Sequence, residues 1–229
     1  MKNWELHRED LLTPNEFAKL RACLNARAEV AGSRNTFTAI QDRAVCFLAV
    51  WTGLRRAEIA ALQCGDIHLT NEKPYLCVRH GKGDKFREVV LSPECRAFFK
   101  RFLNAKADRG ESVEGDAVLF RPQRGARYTA DGIYRIWKAA CKRAGIPPRS
   151  IHKARHFFAT ALYGATKDLR LVQKQLGHSR ITTAEVYTQV DDSDALAGMS
   201  ALDKRLKAAV PETREYGTDS AQKPSKIAG

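Results

Sequence analysis

Between Leu62 and Ser92 the sequence changes its period, and that change limits the architectures open to the chain. On either side, apolar residues recur at helical spacing. Inside, the runs 66–69, 75–80 and 87–91 are rich in β-branched and aromatic residues and read as strands. The last two are joined by GKGDKF, a glycine-bearing turn. Three short strands in sequence give a small antiparallel sheet. The rest of the chain must therefore supply the core from helices. The expected class is mainly α with a small antiparallel β-sheet (α+β).

The helices can be placed by their ends. Thr13-Pro14-Asn15-Glu16 is a capping-box start with proline at the first helical position. Phe17, Leu20 and Leu24 follow at helical spacing, so 14–30 is a helix, and a turn follows at 32–35. The segment 37–52 is a strongly apolar helix interrupted by Gly53, and 55–62 resumes as a short one. Ser92-Pro93 restarts a helix to about 107; the segment 108–117 is polar and loop-like. Thr129 caps a helix through about 143. Further helices are expected at about 152–164, 169–176 and 180–189, the middle one stopped by Gly177. The stretch 195–209 is amphipathic, with Leu196, Met199, Leu202 and Leu206 on one face. Beyond Pro211 the composition is polar and reads as a disordered tail.

The 229 residues carry a net charge of +13. Segment 210–229 contributes none of it, because Arg214, Lys223 and Lys226 offset Glu212, Glu215 and Asp219. A basic folded body favours a polyanionic partner such as nucleic acid over a merely solvated surface. No run of apolar residues is long enough to span a membrane, and MKNWELHREDLL lacks the apolar stretch of a signal peptide. A cytoplasmic protein is the default. Six cysteines, at 23, 46, 64, 77, 95 and 141, form no CxxC pair and read as reduced core residues.

Four motifs with chemical potential stand in order. TGLRRAEIAAL places Arg55 and Glu58 three apart. GKGDKFREV offers Lys82. HKAR puts His152 and Arg155 one helical turn apart. LGHSRITTAEVYT has His178, then Tyr187 nine residues on. Each has a bland reading when taken alone: a helix-face ion pair, a turn lysine, a helix-end histidine, one tyrosine among six. His152 and His156 lie four apart, as zinc ligands on a helix would. However, Lys153 stands where a zinc protease carries glutamate, and no third ligand is evident.

In combination, over about residues 12–190, these motifs resemble the catalytic domain of the tyrosine recombinases, the phage integrase family. The resemblance implies DNA strand exchange without metal, ATP or other cofactor. A tyrosine attacks a backbone phosphate, becomes linked to the 3′ phosphate and frees a 5′ hydroxyl. By match of motif, Tyr187 is the nucleophile and Arg55 and Arg155 are the phosphate clamps. His152 and His178 are hydrogen-bonding or proton-transfer groups, Lys82 is the acid for the leaving 5′ oxygen, and Glu58 is a support. Arg56 and Lys85 compete with Arg55 and Lys82 by position, and the motif favours the latter pair. The chemistry fits, because a phosphorane gathers negative charge and a guanidinium meets it with a planar fork that stays charged.

The implied partners are double-stranded DNA, a homo-oligomer (a tetramer on DNA) and accessory DNA-bending proteins. The implied division is a lead-in at 1–12, the catalytic domain at 13–209 and the tail at 210–229. Only 54 residues precede Arg55, so no N-terminal core-binding domain is expected. The amphipathic stretch 195–209 either passes to a neighbouring protomer, as in many family members, or packs on its own domain. Two further readings stay open: a DNA-binding regulator that no longer catalyses, and a type IB topoisomerase.

Overall fold

A computed structural model of the chain describes residues 12–33, 37–81, 85–123, 126–147, 149–177 and 192–208. In order, the elements are α1 (Pro14–Ser33), α2 (Phe37–Thr52), α3 (Arg56–Ala61), β1 (Ile67–His68), β2 (Tyr75–Val78), β3 (Arg87–Val90), α4 (Pro93–Ala107), α5 (Ala130–Arg143), α6 (Ile151–Thr166), α7 (Leu169–Leu176) and α8 (Asp192–Ala208). The sheet runs β1-β2-β3, antiparallel throughout, with Leu76 opposite Ile67 on one side and Val89 on the other. Residues 1–11 of the expected lead-in, the expected helix at 180–189 and the tail lie outside the described residues, as do Lys82, His178 and Tyr187, whereas Leu12 is buried in the core.

Helix α2 organises the core. Ala44, Val45, Cys46, Leu48, Ala49, Val50 and Trp51 are all buried. A helix that is apolar on nearly every side belongs in the middle of a bundle, and α2 packs against α1, α4, α5 and α6. The expected caps form. In α1, Thr13 N–H donates to Glu16 Oε2 at 2.8 Å and Glu16 N–H donates to Thr13 Oγ1 at 3.1 Å. The hydroxyls of Ser92 and Thr129 accept from Cys95 N–H at 3.2 Å and Gly132 N–H at 3.1 Å. Cys46, Cys64, Cys95 and Cys141 are buried. Burial pushes the Cys46 and Cys95 thiols well above their ordinary value, which makes them inert.

Several boundaries differ from expectation: α1 runs on to Ser33, into the expected turn, and α8 begins earlier, at Asp192. The strands are shorter, partly because the Asp66 carboxylate accepts from Gln63 N–H at 2.8 Å and closes a tight turn at Cys64–Asp66. Helix α6 begins one residue earlier and ends two later, where Lys167 takes a left-handed conformation at φ 58°. Helix α3 starts at Arg56, with Arg55 as its extended N-cap residue.

Helix α8 packs on its own domain, against α4, α6 and β3. Met199, Leu202 and Leu206 are buried there. Asp203 on α8 is buried too. Its carboxylate accepts from Trp51 Nε1 at 3.1 Å, Ser92 Oγ at 2.7 Å and Glu94 N–H at 3.0 Å. Asp203→Ala strands those donors and is expected to cost about 2–4 kcal/mol, since each buried group left unmade costs about 1–3 kcal/mol. Chemical denaturation would check it, and a loss under about 1 kcal/mol would contradict the account. Among the described residues, no helix is long and apolar enough to cross a membrane.

Candidate active site

The turn after α2 sets the first functional residue. Gly53 is left-handed, at φ +63°, and a Cβ there would come within 2.7 Å of Phe158 and 2.8 Å of Leu176. Only glycine suits that place. The chain then passes through Leu54, which is buried, to Arg55, whose backbone is extended. Arg55 N–H donates to Glu58 Oε2 at 2.8 Å and Arg55 Nη1 donates to Glu58 Oε1 at 2.7 Å. Arg56 lies beside it and pairs with Asp131 on α5 at 3.0 Å.

Helix α6 supplies the next two. Trp137 Nε1 on α5 donates to Arg149 O at 2.9 Å and ties down the approach to the helix. The Ser150 hydroxyl caps it by accepting from His152 N–H at 3.3 Å. His152 thus sits in the first turn, exposed, with its ring edge-on to His156 at 4.9 Å between centroids. Arg155, one turn on, is 3% exposed. Its Nη1 donates to Gly53 O at 2.7 Å and its Nη2 to Leu176 O at 2.6 Å. Those bonds orient the guanidinium and join the turn before Arg55 to the end of α7. There Gly177 is left-handed, at φ 65°, with its N–H donating to Gln173 O at 2.8 Å.

An open cleft of about 520 Å³ is lined by Arg55, Arg56, Tyr134, Ser150 and His152, among others. Its electrostatics are dominated by positive charge. Burial, then the fields of Arg55 and Arg87, lower the Arg155 pKa to about 10, against the pull of Glu58. The group still stays charged at neutral pH. Partial desolvation and repulsion from Arg155, Arg55 and Lys153 hold His152 below its ordinary value. Because His152 is exposed, repulsion is the more durable cause. Burial pushes the Glu58 carboxyl up, but hydrogen bonds from Arg87 and Arg55 outweigh it and hold the pKa below the ordinary carboxylate value. The cleft is built to receive an anion: its cations are placed before any ligand arrives. Among the described residues, no group of three or more His, Cys, Asp or Glu could hold a metal ion.

Of the seven residues singled out by sequence, Arg55 and His152 line this cleft, Glu58 is buried and bonded to Arg55, and Arg155 is buried within reach of their charges. Sequence reasoning passed over Arg87 and Gln175. Arg87 grips Glu58 from the sheet through Nη1 at 2.9 Å and Nη2 at 2.8 Å. Gln175 is buried, and its Oε1 accepts from Val90 N–H at 3.1 Å. One signal was available: Gln175 follows Leu171 by four residues, so it is a polar residue on an apolar helix face.

Residues 12–194 match the model of the Phage integrase family. A tyrosine recombinase XerC from Herpetosiphon aurantiacus is 32% identical over 157 residues, which cover 69% of this chain and 50% of the relative. A tyrosine recombinase XerD from Bifidobacterium longum is 37% identical over 190 residues, covering 79% and 58%. Among solved structures, the XerH site-specific recombinase bound to its difH substrate, in a pre-cleavage complex, aligns with a TM-score of 0.59 at 29% identity. That alignment covers 75% of this chain and 47% of the other. The XerA recombinase aligns with a TM-score of 0.60 at 27% identity, over 89% and 66%. The chain spans about half the length of the curated relatives it matches. With most of its length matched by the family model and its fold shared with these recombinases, the chain belongs to the phage integrase family of tyrosine recombinases.

Proposed function

We propose that the chain is the catalytic part of a site-specific DNA recombinase that cleaves and rejoins duplex DNA through a 3′-phosphotyrosine. The observation that carries this reading is that Arg55 and His152, from the starts of α3 and α6, line one positively charged cleft, with the buried charge of Arg155 close enough to act on both. In this reading Tyr187 Oη bonds to the scissile phosphorus and the P–O5′ bond breaks. The tyrosine proton passes to a histidine or to water, and the departing O5′ takes a proton from Lys82. Arg55 and Arg155 hold the non-bridging oxygens, where charge builds in the transition state. A 5′ hydroxyl of a second strand then reverses the step, so no metal or high-energy cofactor enters the balance. His178 is the second hydrogen-bonding or proton-transfer group of the set. The working assembly is a tetramer on DNA, in the cytoplasm, with accessory DNA-bending proteins where the site requires them.

The test uses duplexes from the native locus carrying a nick near the cleavage point, so that a short fragment escapes. A protein–DNA adduct that survives denaturation, and that passes its strand to a second duplex bearing a 5′ hydroxyl, is the expected result. A chain that binds such DNA with no adduct on any duplex would be a binder, not an enzyme. Relaxation of supercoils without strand transfer would point to topoisomerase chemistry.

A pH dependence follows from His152. Its pKa is held below the ordinary value, so the ring is neutral at pH 7 and can accept a hydrogen bond or proton. Cleavage rate is expected to fall as pH drops through that lowered pKa. His152→Ala should remove the limb as well as slow the reaction. A pH–rate profile of the variant that keeps the same acid limb would assign it to another group.

A further inference from the structure

Arg87 stands where three of the chain's motifs meet. From β3 its two Nη atoms hold both oxygens of Glu58, the same carboxylate that receives Arg55 through its backbone and its side chain. Its Nε donates to Gln175 O at 3.3 Å, at the end of α7. Its stem lies against Gly177, where a Cβ would come within 2.6 Å of Arg87 Cδ. A Cβ on Gly81, the first residue of GKGDKF, would lie 3.1 Å from Arg87 Nη1. A second tie runs parallel to it, from Val90 N–H to Gln175 Oε1. One guanidinium therefore touches the support of Arg55, the foot of the hairpin and the residue before His178. A buried carboxylate shared by two guanidiniums has its lone pairs committed in fixed directions. Displacing Arg87 would free Glu58 to swing with Arg55 and would loosen the end of α7.

We propose that Arg87 is a positioning residue: it locks Glu58, and through it Arg55, onto the scissile phosphate, and holds the turn that leads to His178. This rests on the DNA-cleavage reading above. Lysine at this place keeps the charge but cannot reproduce a forked grip together with a third bond. The variant to make is Arg87→Lys, assayed in single turnover on the nicked duplex. Its cleavage rate is expected to fall about 30-fold or more, with DNA affinity within about 3-fold, because the loss is of alignment rather than of charge.

The discriminating readout is a second substrate, with one non-bridging oxygen of the scissile phosphate replaced by methyl. That linkage carries no charge and demands less of the arginines. The Arg87→Lys defect is expected to shrink there to about 5-fold or less, since the missing stabilisation is aimed at phosphate charge. An equal defect on both linkages, or none on either, would overturn the proposal. If the wild type cleaves and Arg87→Lys cleaves equally well, this inference fails and the DNA-cleavage reading stands. If the wild type forms no adduct at all, both fail together. Amide hydrogen exchange tests the joint without any turnover. In Arg87→Lys, Val90 and Gly177 should exchange about 10-fold faster while the α2 core amides keep their protection. Unchanged exchange at both would show that Arg87 does not hold the turn.

Discussion

Arg155→Lys is expected to lower the rate of DNA cleavage by about 10³-fold, the scale on which pre-placed donors to a developing charge act. The side chain is buried and spends bonds on Gly53 O and Leu176 O, which fix the plane of its guanidinium. Lysine offers a point charge on a flexible stem and cannot span both carbonyls. One carbonyl is then left buried without a donor, which costs about 1–3 kcal/mol. Two readouts should therefore move together: the single-turnover rate, and the unfolding free energy by a smaller margin. The wild-type charge sits where burial and two neighbouring arginines already oppose it, as its pKa near 10 records. A bound phosphate would relieve that opposition, so wild type should gain more stability from DNA than the variant does. A variant within about 10-fold of the wild-type rate would show that Arg155 is a structural tie and not a phosphate clamp.

Glu58→Gln is the second large effect, and it should appear first in stability. The carboxylate is 5% exposed and accepts four bonds, two from Arg55 and two from Arg87. Glutamine keeps the shape, loses the charge and turns an NH₂ toward arginine donors. Breaking a buried pair on one side typically costs about 3–5 kcal/mol. For a chain of this length that lowers Tm by about 10 °C. Cleavage should fall too, because Arg55 loses its support. The pH dependence has a definite sign. The folded pKa of Glu58 lies below its ordinary value, so its contribution is present above about pH 4.5 and is lost as pH falls through the folded pKa. The stability gap between wild type and Glu58→Gln should accordingly be widest near neutrality and close in acid. A gap that stays constant down to pH 3 would rule out the ionised carboxylate as its source.

The parts of this molecule legible in its sequence are the local ones. Helix α2 announces itself by apolar residues on every side, and the starts of α1, α4 and α5 by caps a few residues long. Gly53 and Gly177 mark their turns because each is left-handed. Arg55 and Glu58 are three apart, so their pairing could be foreseen. What stayed hidden is non-local. The bond from Arg155 to Gly53 O spans 102 residues, that from Arg87 to Glu58 spans 29, and that from Trp51 to Asp203 spans 152. No period or cap encodes such partners. The extended backbone of Arg55 was also hidden, since a helix pattern cannot separate an N-cap from a first helical residue. In the single chain the amphipathic C-terminal stretch packs on its own domain, and Asp203 is the polar anchor that a count of apolar residues on that face could not reveal.

The central claim is that this chain breaks DNA with Tyr187. It is tested most directly by digesting the trapped adduct with nuclease and trypsin and locating the residual nucleotide by mass spectrometry. Cleavage after Arg180 and Lys204 isolates a peptide whose single tyrosine is Tyr187. The account predicts a 3′-phosphate-linked nucleotide on that peptide, and no adduct from Tyr187→Phe. A nucleotide found on any other residue, or an adduct that persists in Tyr187→Phe, would contradict it.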